Sequence, residues 1–536
     1  MKLSYLKKIR VAVSLIFLVA TTLVFVDYRN ILPEKLISGI VYLQFVPSLL
    51  KFINLVSIAI LGFIVVSVLT LLFGRVYCST ICPLGILQDV ISWIARKFKK
   101  RKKRYYAFSK PHNILWYSLL ALSILVLLFG SVFVVSLLDP YSNFGRIMTY
   151  FGKPVVVLAN NGISSILEKF DIFSLYPVNL VNIPLWVLVF PVIMGVLVVW
   201  LSVTHGRLYC NTVCPVGALL GLLSKVALFR IIIDEEECTQ CSLCARVCKA
   251  SCMNFLQAEV DFSRCVGCYN CLTVCPTNAV KYKSFSPGST FRSLTGRKGS
   301  NVTLTVGGSD EPDLGKRKFV KGSLAYFLGM AGISIMQEKP VNINPTTVPE
   351  DKEFPVSPPG SLSLENFNDN CTACTLCISA CPTFVLQPSI LEYGLTGIMQ
   401  PHMDYHAGYC NYDCTICADI CPTGAILPVV LEKKKQVQMG IAKFIQENCI
   451  VHTDKTDCGA CSEVCPTKSC HMVPYEGTLV IPEVLEKTCV GCGACEFACP
   501  TTPYKAIFVN GNAVHQVAEE PVEEELKIQE TDDWPF

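Results

Sequence analysis

Charge and histidine are both scarce in this chain of 536 residues: charged residues make up 16% of it, and it has seven histidines. So little charge, set against 51% hydrophobic residues, excludes a wholly water-soluble protein and puts a large part of the chain in lipid. The histidines exclude membrane haem of two kinds. No C-x2-C-H attachment motif occurs, and only His205 stands at the end of an apolar run, so paired-histidine haems within the bilayer have no ligands. No nucleophile triad, phosphate-binding loop or flavin fingerprint stands out either. Arginine is absent from Gln337 onward, where 11 Lys face 27 Asp and Glu; that balance of −16 leaves +20 for the first 336 residues. The two parts face different surroundings. A basic first part beside apolar spans fits the cytoplasmic side of a membrane and argues against nucleic acid as a partner.

Cysteine is what the chain has in quantity, with 30 residues, nearly all in short regular spacings that suit metal clusters better than disulfides. The clearest stretch is central: Cys238, Cys241, Cys244 and Cys248, then Cys265, Cys268, Cys271 and Cys275 followed by Pro276. Two C-x2-C-x2-C-x3-C runs are the bacterial two-cluster ferredoxin pattern, in which three cysteines of one run bind a 4Fe-4S cubane and the fourth binds the other. Cys238, Cys241, Cys244 and Cys275 are thus assigned to one cluster, and Cys265, Cys268, Cys271 and Cys248 to its partner. Structural zinc is the competing reading, but zinc motifs lack this three-plus-one interleaving. Lys249 stands where the first run would usually have proline.

Ahead of this stretch the sequence predicts four membrane spans: Ile9 to Val26, about Ile53 to Phe73, Ile114 to Leu138 and Leu185 to Val203. The first follows Lys2, Lys7, Lys8 and Arg10 like a signal peptide, yet no small-residue cleavage site comes after it, so it reads as an uncleaved span. The connection from Arg75 to His112 is rich in Lys and Arg, whereas the loops around 28–52 and 139–183 are not, which places both ends of the four-span domain inside. The basic run could also be a docking patch, but its topogenic role is explanation enough. An internal repeat runs through these spans. Gly74-Arg75-Val76-Tyr77-Cys78-x3-Cys82-Pro83-x-Gly85 ends the second, and Gly206-Arg207-Leu208-Tyr209-Cys210-x3-Cys214-Pro215-x-Gly217 ends the fourth. Two thiols are too few for a cubane, but two such units facing each other supply four ligands, so Cys78, Cys82, Cys210 and Cys214 are expected to share one iron-sulfur cluster. A redox-active thiol pair and another metal site are the competing readings. Arg75 and Arg207 would offset anionic thiolates, and His205 marks the membrane edge.

The remaining organisation follows from composition. The membrane domain occupies 1–230 and the central ferredoxin 231–283, with a Gly, Ser and Thr-rich linker over 284–314. Residues 315–337 carry Lys316, Arg317 and Lys318 before a moderately apolar run, a pattern similar to a twin-arginine export signal with Lys316 in place of the first arginine. A buried or amphipathic helix in a chain that stays inside is the other reading of that segment. A proline-rich spacer fills 338–364, and the acidic end, 516–536, reads as a solvated tail. Between them, 365–515 holds four runs that end in Cys-Pro: Cys371, Cys374, Cys377, Cys381; Cys410, Cys414, Cys417, Cys421; Cys449, Cys458, Cys461, Cys465; and Cys489, Cys492, Cys495, Cys499. The widened gaps in the second and third suggest nested pairing. On that expectation Cys499 completes the first run and Cys381 the fourth, while Cys465 completes the second and Cys421 the third. Cys252 and Cys470 are left over. The fold class expected is an α-helical membrane domain of four spans in two repeats, joined to α+β bacterial-ferredoxin-like domains.

On these motifs the first 280 or so residues resemble the NapH-type membrane ferredoxins, and the part from Gly315 onward resembles the NapG/MauM-type exported ferredoxins with four clusters. The resemblance is to two proteins fused. It implies an electron-transfer module of the bacterial inner membrane, multi-pass, to which the spacings assign six 4Fe-4S clusters and an expected seventh at the C-x3-C-P motifs. It also implies quinol as donor, a periplasmic C-terminal domain, and a partner such as a periplasmic reductase or cytochrome. A maturation factor or redox sensor for a partner metalloenzyme is the alternative. One point stays open: a route from quinol straight to an outside partner would not need two clusters on the inner face.

Overall fold

The computed structural model describes residues 4–55, 61–99, 106, 108–179, 184–284 and 345–520. The linker, the export-like segment and most of the acidic tail lie outside them.

The first half is helical. Helix α1 (Ser4–Val26) is followed by α2 (Glu34–Tyr42), α3 (Phe45–Leu55), α4 (Leu61–Phe73), α5 (Tyr77–Thr80) and α6 (Pro83–Phe98). A second helical part follows. It contains α7 (Asn113–Leu128), α8 (Phe133–Leu138), α9 (Pro140–Ile147), α10 (Lys153–Glu168), α11 (Val189–His205), α12 (Leu208–Thr212) and α13 (Pro215–Ser224). Apolar residues on nearly every face of α4 and α11 make these helices unsuited to water. Proline starts α6, α9 and α13, where its missing N–H costs nothing, so each helix begins directly behind Cys82, Asp139 or Cys214.

The four expected spans are only partly what forms. Two helical stretches, Tyr5–Val26 and Leu185–His205, are long and apolar enough to cross a bilayer among the described residues. The span expected over Ile114–Leu138 is broken between α7 and α8, where Gly130 takes a φ of 84° that ends the helix. The stretches read as loops, around 28–52 and 139–183, instead contain helices. Of these, α2 and α3 meet at 94°, and α9 is set off from α8 by extended backbone at Asp139 (ψ 127°). Broken helices at membrane depth need protein around them to satisfy the freed backbone groups. That protein is present: Tyr77 Oη accepts from the Phe45 N–H (3.1 Å) at one bend, and Tyr209 Oη donates to the Leu138 carbonyl (2.9 Å) at the other. The two tyrosines occupy the same place in the sequence repeat, and each braces a helix break, one as acceptor and the other as donor.

Three α+β units follow, each a cysteine run, a short antiparallel hairpin and a second run. The central unit closes β1 (Phe229–Ile233) on β4 (Val280–Ser284), with β2 (Met253–Asn254) and β3 (Glu259–Val260) between the runs. In the C-terminal domain, β5 (Leu386–Pro388) pairs with β6 (Pro401–Met403), and β8 (Cys470–Pro474) with β9 (Val480–Val484). The long strands β7 (Val437–Phe444) and β10 (Ile507–Val517) close the last unit.

The two ferredoxin-like parts sit at opposite ends of the helices. Near the start of α1, Arg10 bonds the Ser79 carbonyl (3.3 Å) and Asp89 (3.2 Å), beside the central unit. At its far end the Phe25 carbonyl accepts from Ser379 Oγ (2.5 Å) of the C-terminal domain. Fifteen helical residues separate these points by about 22 Å. Helix α11 agrees. Phe190, near its start, stacks on Arg146 at the C-terminal domain (4.9 Å), and Gly206, directly after its end, packs against the Lys249 carbonyl of the central unit.

Candidate metal centres

Each repeat delivers its cysteines on a one-turn helix, α5 or α12, followed by Cys-Pro. Cys78, Cys82, Cys210 and Cys214 are buried together, each of Cys82, Cys210 and Cys214 lying within electrostatic reach of others in the set. The repeats interlock through their arginines. Arg75 Nη2 donates to the Cys210 carbonyl (3.1 Å), and Arg207 Nη1 donates to the Cys78 carbonyl in the opposite repeat. Only glycine fits behind these bonds, since a Cβ at Gly85 would lie 2.4 Å from the Cys78 oxygen and one at Gly217 would lie 2.3 Å from the Cys210 oxygen. The C-P-x-G motif therefore encodes a close backbone crossing as well as ligands.

The repeat is not electrically symmetric. Arg207 meets Asp89 (2.9 Å), a carboxylate that Arg10 (3.2 Å) and Lys249 (3.0 Å) also approach. Arg75 is wholly buried, 0% exposed, and no carboxylate pairs with it among the described residues. Its partners are the Asn211 amide oxygen (2.8 Å), two carbonyls and the Cys78 sulfur (3.9 Å). A guanidinium buried without a counter-charge is costly. Four thiolates holding an iron-sulfur cluster carry net negative charge and would supply it. N–H groups already point at the sulfurs: the Gly217 N–H at Cys214 (3.3 Å) and the Gln88 amide at Cys210 (3.5 Å). The donor set, the buried cation and the N–H groups all fit an anionic cluster.

In the central unit, one cavity is lined by Cys238, Cys241, Cys244 and Cys275, and another by Cys248, Cys265, Cys268 and Cys271. The structure thus brings together the two interleaved sets read from the spacing. The first is the more open: Cys241 is exposed and Cys238 half-buried. The second is buried against the membrane domain, where Gly267 touches Val76, two residues from Cys78.

In the C-terminal domain the nested exchange gives way to a local one. Cys421 joins Cys371, Cys374 and Cys377, and Cys381 joins Cys410, Cys414 and Cys417. Cys499 joins Cys449, Cys458 and Cys461, and Cys465 joins Cys489, Cys492 and Cys495. The reason is the hairpin inside each unit: β5–β6 folds the second run back on the first, and β8–β9 folds the fourth back on the third. Gap width within a run only lengthens a loop and carries no information about the partner. Replacing Cys371 and Cys421 together by Ala is expected to remove one cluster's worth of iron under the local exchange. Iron analysis with electron paramagnetic resonance on the double variant checks this, since nested exchange would remove two.

Burial pushes the Cys374 thiol up to about 12 and the Cys492 thiol up to about 12, and raises Cys268 and Cys271 as well. Bare, these groups hold their protons, and a metal takes the protons' place. Cys252 and Cys470, left over in the sequence, are both buried beside ligands: Cys252 lies 3.6 Å from the Cys248 sulfur, and the Cys470 thiol hydrogen-bonds Cys461.

The candidate sites form a row. Cys271 lies in reach of Cys244, linking the central pair, and Gly267 on Val76 links that pair to the membrane quartet. From the quartet, Tyr209 leads to the α8–α9 bend, where Asp139 acts on both Tyr209 and Cys374. Beyond it Cys377 reaches Cys417, the Cys410 N–H donates to the Cys492 carbonyl (2.9 Å), and Cys495 reaches Cys461. One apolar core holds the membrane half of this row, from Cys268 through Cys78 and Cys210 to Cys374.

Sequence reasoning found the cysteines and the two arginines beside the quartet, and missed the acids and the C-terminal contact around them. Asp89 gave no signal, being one acid on an amphipathic helix, and neither did Asp139 and Arg146, placed in a stretch read as loop.

Comparisons with known proteins agree with this chemistry. A 4Fe-4S binding domain family matches residues 57–101 and 186–233, the two C-x3-C-P repeats; two further families of that description match 258–281 and 456–469. The chain is 28% identical over 194 residues to the ferredoxin-type protein NapH of Escherichia coli K12, covering 36% of this chain and 54% of that protein. It is 28% identical over 194 residues to the methylamine utilization ferredoxin-type protein MauN of Methylorubrum extorquens, again 36% and 54%. With the putative electron transport protein YccM of E. coli K12 it shares 25% over 190 residues, 35% of this chain and 44% of that protein. The matched region thus spans about half the length of these relatives. No solved structure matches. Together the cysteine geometry and these relatives support a NapH-like, ferredoxin-type electron transport protein with iron-sulfur sites and apolar helices suited to a membrane.

Proposed function

We propose that this protein carries electrons across a bacterial inner membrane, between the quinone pool and the central ferredoxin on the inner side and a partner oxidoreductase on the outer side. One observation carries the reading: the C-x3-C-P quartet lies between the central ferredoxin and a C-terminal domain docked at the opposite end of the helices. Six cubanes and a seventh cluster at Cys78, Cys82, Cys210 and Cys214 would supply one-electron chemistry, at potentials set by charge, hydrogen bonding and exposure.

The residues of this chain do the rest. Arg75 and Arg207 hold the quartet's backbone and offset its charge. Tyr77 and Tyr209 join it to the two bends, and Arg146 fixes the C-terminal domain through the Ala373 (2.9 Å) and Thr372 (3.3 Å) carbonyls. The two inner clusters, superfluous for a route straight from quinol to the outside, become the inner terminal of the row. In that arrangement a NapG/MauM-type outer domain is fused to its own membrane donor.

Anaerobic membranes given menaquinol should show reduction of the clusters, followed by reoxidation when a periplasmic acceptor is added. Clusters that stay oxidised under menaquinol would remove the quinone pool from the proposal.

A further inference from the structure

Five of the six ferredoxin-type runs end Cys-Pro-Thr, and in each the threonine hydroxyl lies on the sulfur of its own cysteine. The distances are 3.7 Å for Cys275 and Thr277, 3.6 Å for Cys381 and Thr383, 3.8 Å for Cys421 and Thr423, 3.7 Å for Cys465 and Thr467, and 3.2 Å for Cys499 and Thr501. The sixth run departs from this. Cys248 is followed by Lys249 and Ala250, and its sulfur meets the thiol of Cys252 at 3.6 Å instead. This is the run whose last cysteine belongs to the site nearest the membrane quartet.

Lys249 belongs to both sides of that junction. Its backbone carbonyl accepts from the Arg207 N–H (3.0 Å), its ammonium lies 3.0 Å from Asp89, and it acts electrostatically on Cys268. Asp89 does not cancel it, because Arg10 and Arg207 share the same carboxylate and the group keeps an excess of two positive charges. Coulomb interactions in such a buried place are strong. Gaining an electron makes a cluster more negative, so a buried positive excess beside it favours reduction. A thiol is a weaker donor than a hydroxyl, so exchanging threonine for Cys252 works in the opposite direction, but by a small contact against a full charge.

We propose that Lys249 is a positioning residue that raises the potential of the site held by Cys248, Cys265, Cys268 and Cys271, making it the member of the central pair through which electrons pass to and from the quartet. One electron leaves the adjacent site and arrives at this one; no bond forms or breaks and no proton is required. The inference rests on the electron-transfer reading above.

An anaerobic redox titration of the full-length protein, followed by electron paramagnetic resonance, tests it. Lys249→Met is expected to disfavour reduction of one central cluster by tenfold or more, about 59 mV for one electron, while the remaining signals keep their midpoints. Lys249→Arg should restore the midpoint. Asp89→Asn should move the same signal upward, since it removes the shared negative charge, and this arm decides the matter if Lys249→Met does not assemble. Unchanged midpoints, or shifts of the same sign in the Met and Asn variants, overturn the proposal. Absence of iron from the central sites of the unaltered protein would instead overturn the electron-transfer reading itself, so the two failures are distinct.

Discussion

Replacing Cys78 and Cys210 by Ser is expected to stop electron passage between the central ferredoxin and the C-terminal domain while six cubane signals persist. The two cysteines stand at the same place in the two repeats, and each lies under the arginine of the other. Their loss leaves the quartet with two thiols, too few to hold a cluster. Without a carrier there, the gap runs from the buried site near Gly267 to Cys374, past Tyr209 and the α8–α9 bend. Electron tunnelling falls steeply with distance, so a rate loss of at least about a hundredfold follows, equal to about 2.7 kcal/mol of barrier. Stopped-flow reduction of the C-terminal clusters, with the central pair pre-reduced, measures it. An unchanged rate would mean that electrons bypass the quartet.

The second large effect lies at the other junction. Gly145 packs so closely that a Cβ there would lie 2.3 Å from the Cys374 carbonyl oxygen. Its neighbour Arg146, 1% exposed, donates to the Ala373 (2.9 Å) and Thr372 (3.3 Å) carbonyls and to Ser136 Oγ (2.9 Å). Hydrogen bonds to a charged group contribute about 1.5–3 kcal/mol each. Gly145→Leu combined with Arg146→Ala should therefore detach the C-terminal domain from the helices and leave all clusters in place. Transfer from the quartet should fall about as far as in the cysteine variant, with the iron content unaltered. That contrast separates loss of a carrier from loss of contact. Full transfer in the detached variant would show that Cys374 and its neighbours are not where electrons arrive.

How much of this was legible in the sequence depends on whether the signal was local. The central cluster sets could be read because both runs and the hairpin between them span few residues. The quartet could be read because the repeat, Gly-Arg-x-Tyr-Cys-x3-Cys-Pro-x-Gly, is written twice. The partner runs of the C-terminal domain could not, because they are set by which hairpin folds back on which run, and gap lengths do not encode that. The bent pairs α2–α3 and α8–α9 escaped for a different reason. Each is short and interrupted by polar groups such as Gln44, Asp139 and Asn143, which lower its hydropathy although the fold buries them. Asp89 shows the same limit: one acid on α6 has no pattern, yet it gathers Arg10, Arg207 and Lys249 from three parts of the chain. The docking of the C-terminal domain was beyond reach altogether, since its contacts join residues more than 200 positions apart, as between Ser136 and Thr372.

The most direct measurement places the purified protein in sealed vesicles with a membrane-impermeant electron acceptor trapped inside. A membrane-impermeant reductant is then added outside, to the population whose central ferredoxin faces outward. The trapped acceptor is expected to become reduced with the unaltered protein and to stay oxidised with the Cys78 and Cys210 Ser variant. Reduction at equal rates in both, or in neither while the outward clusters are fully reduced, would contradict it.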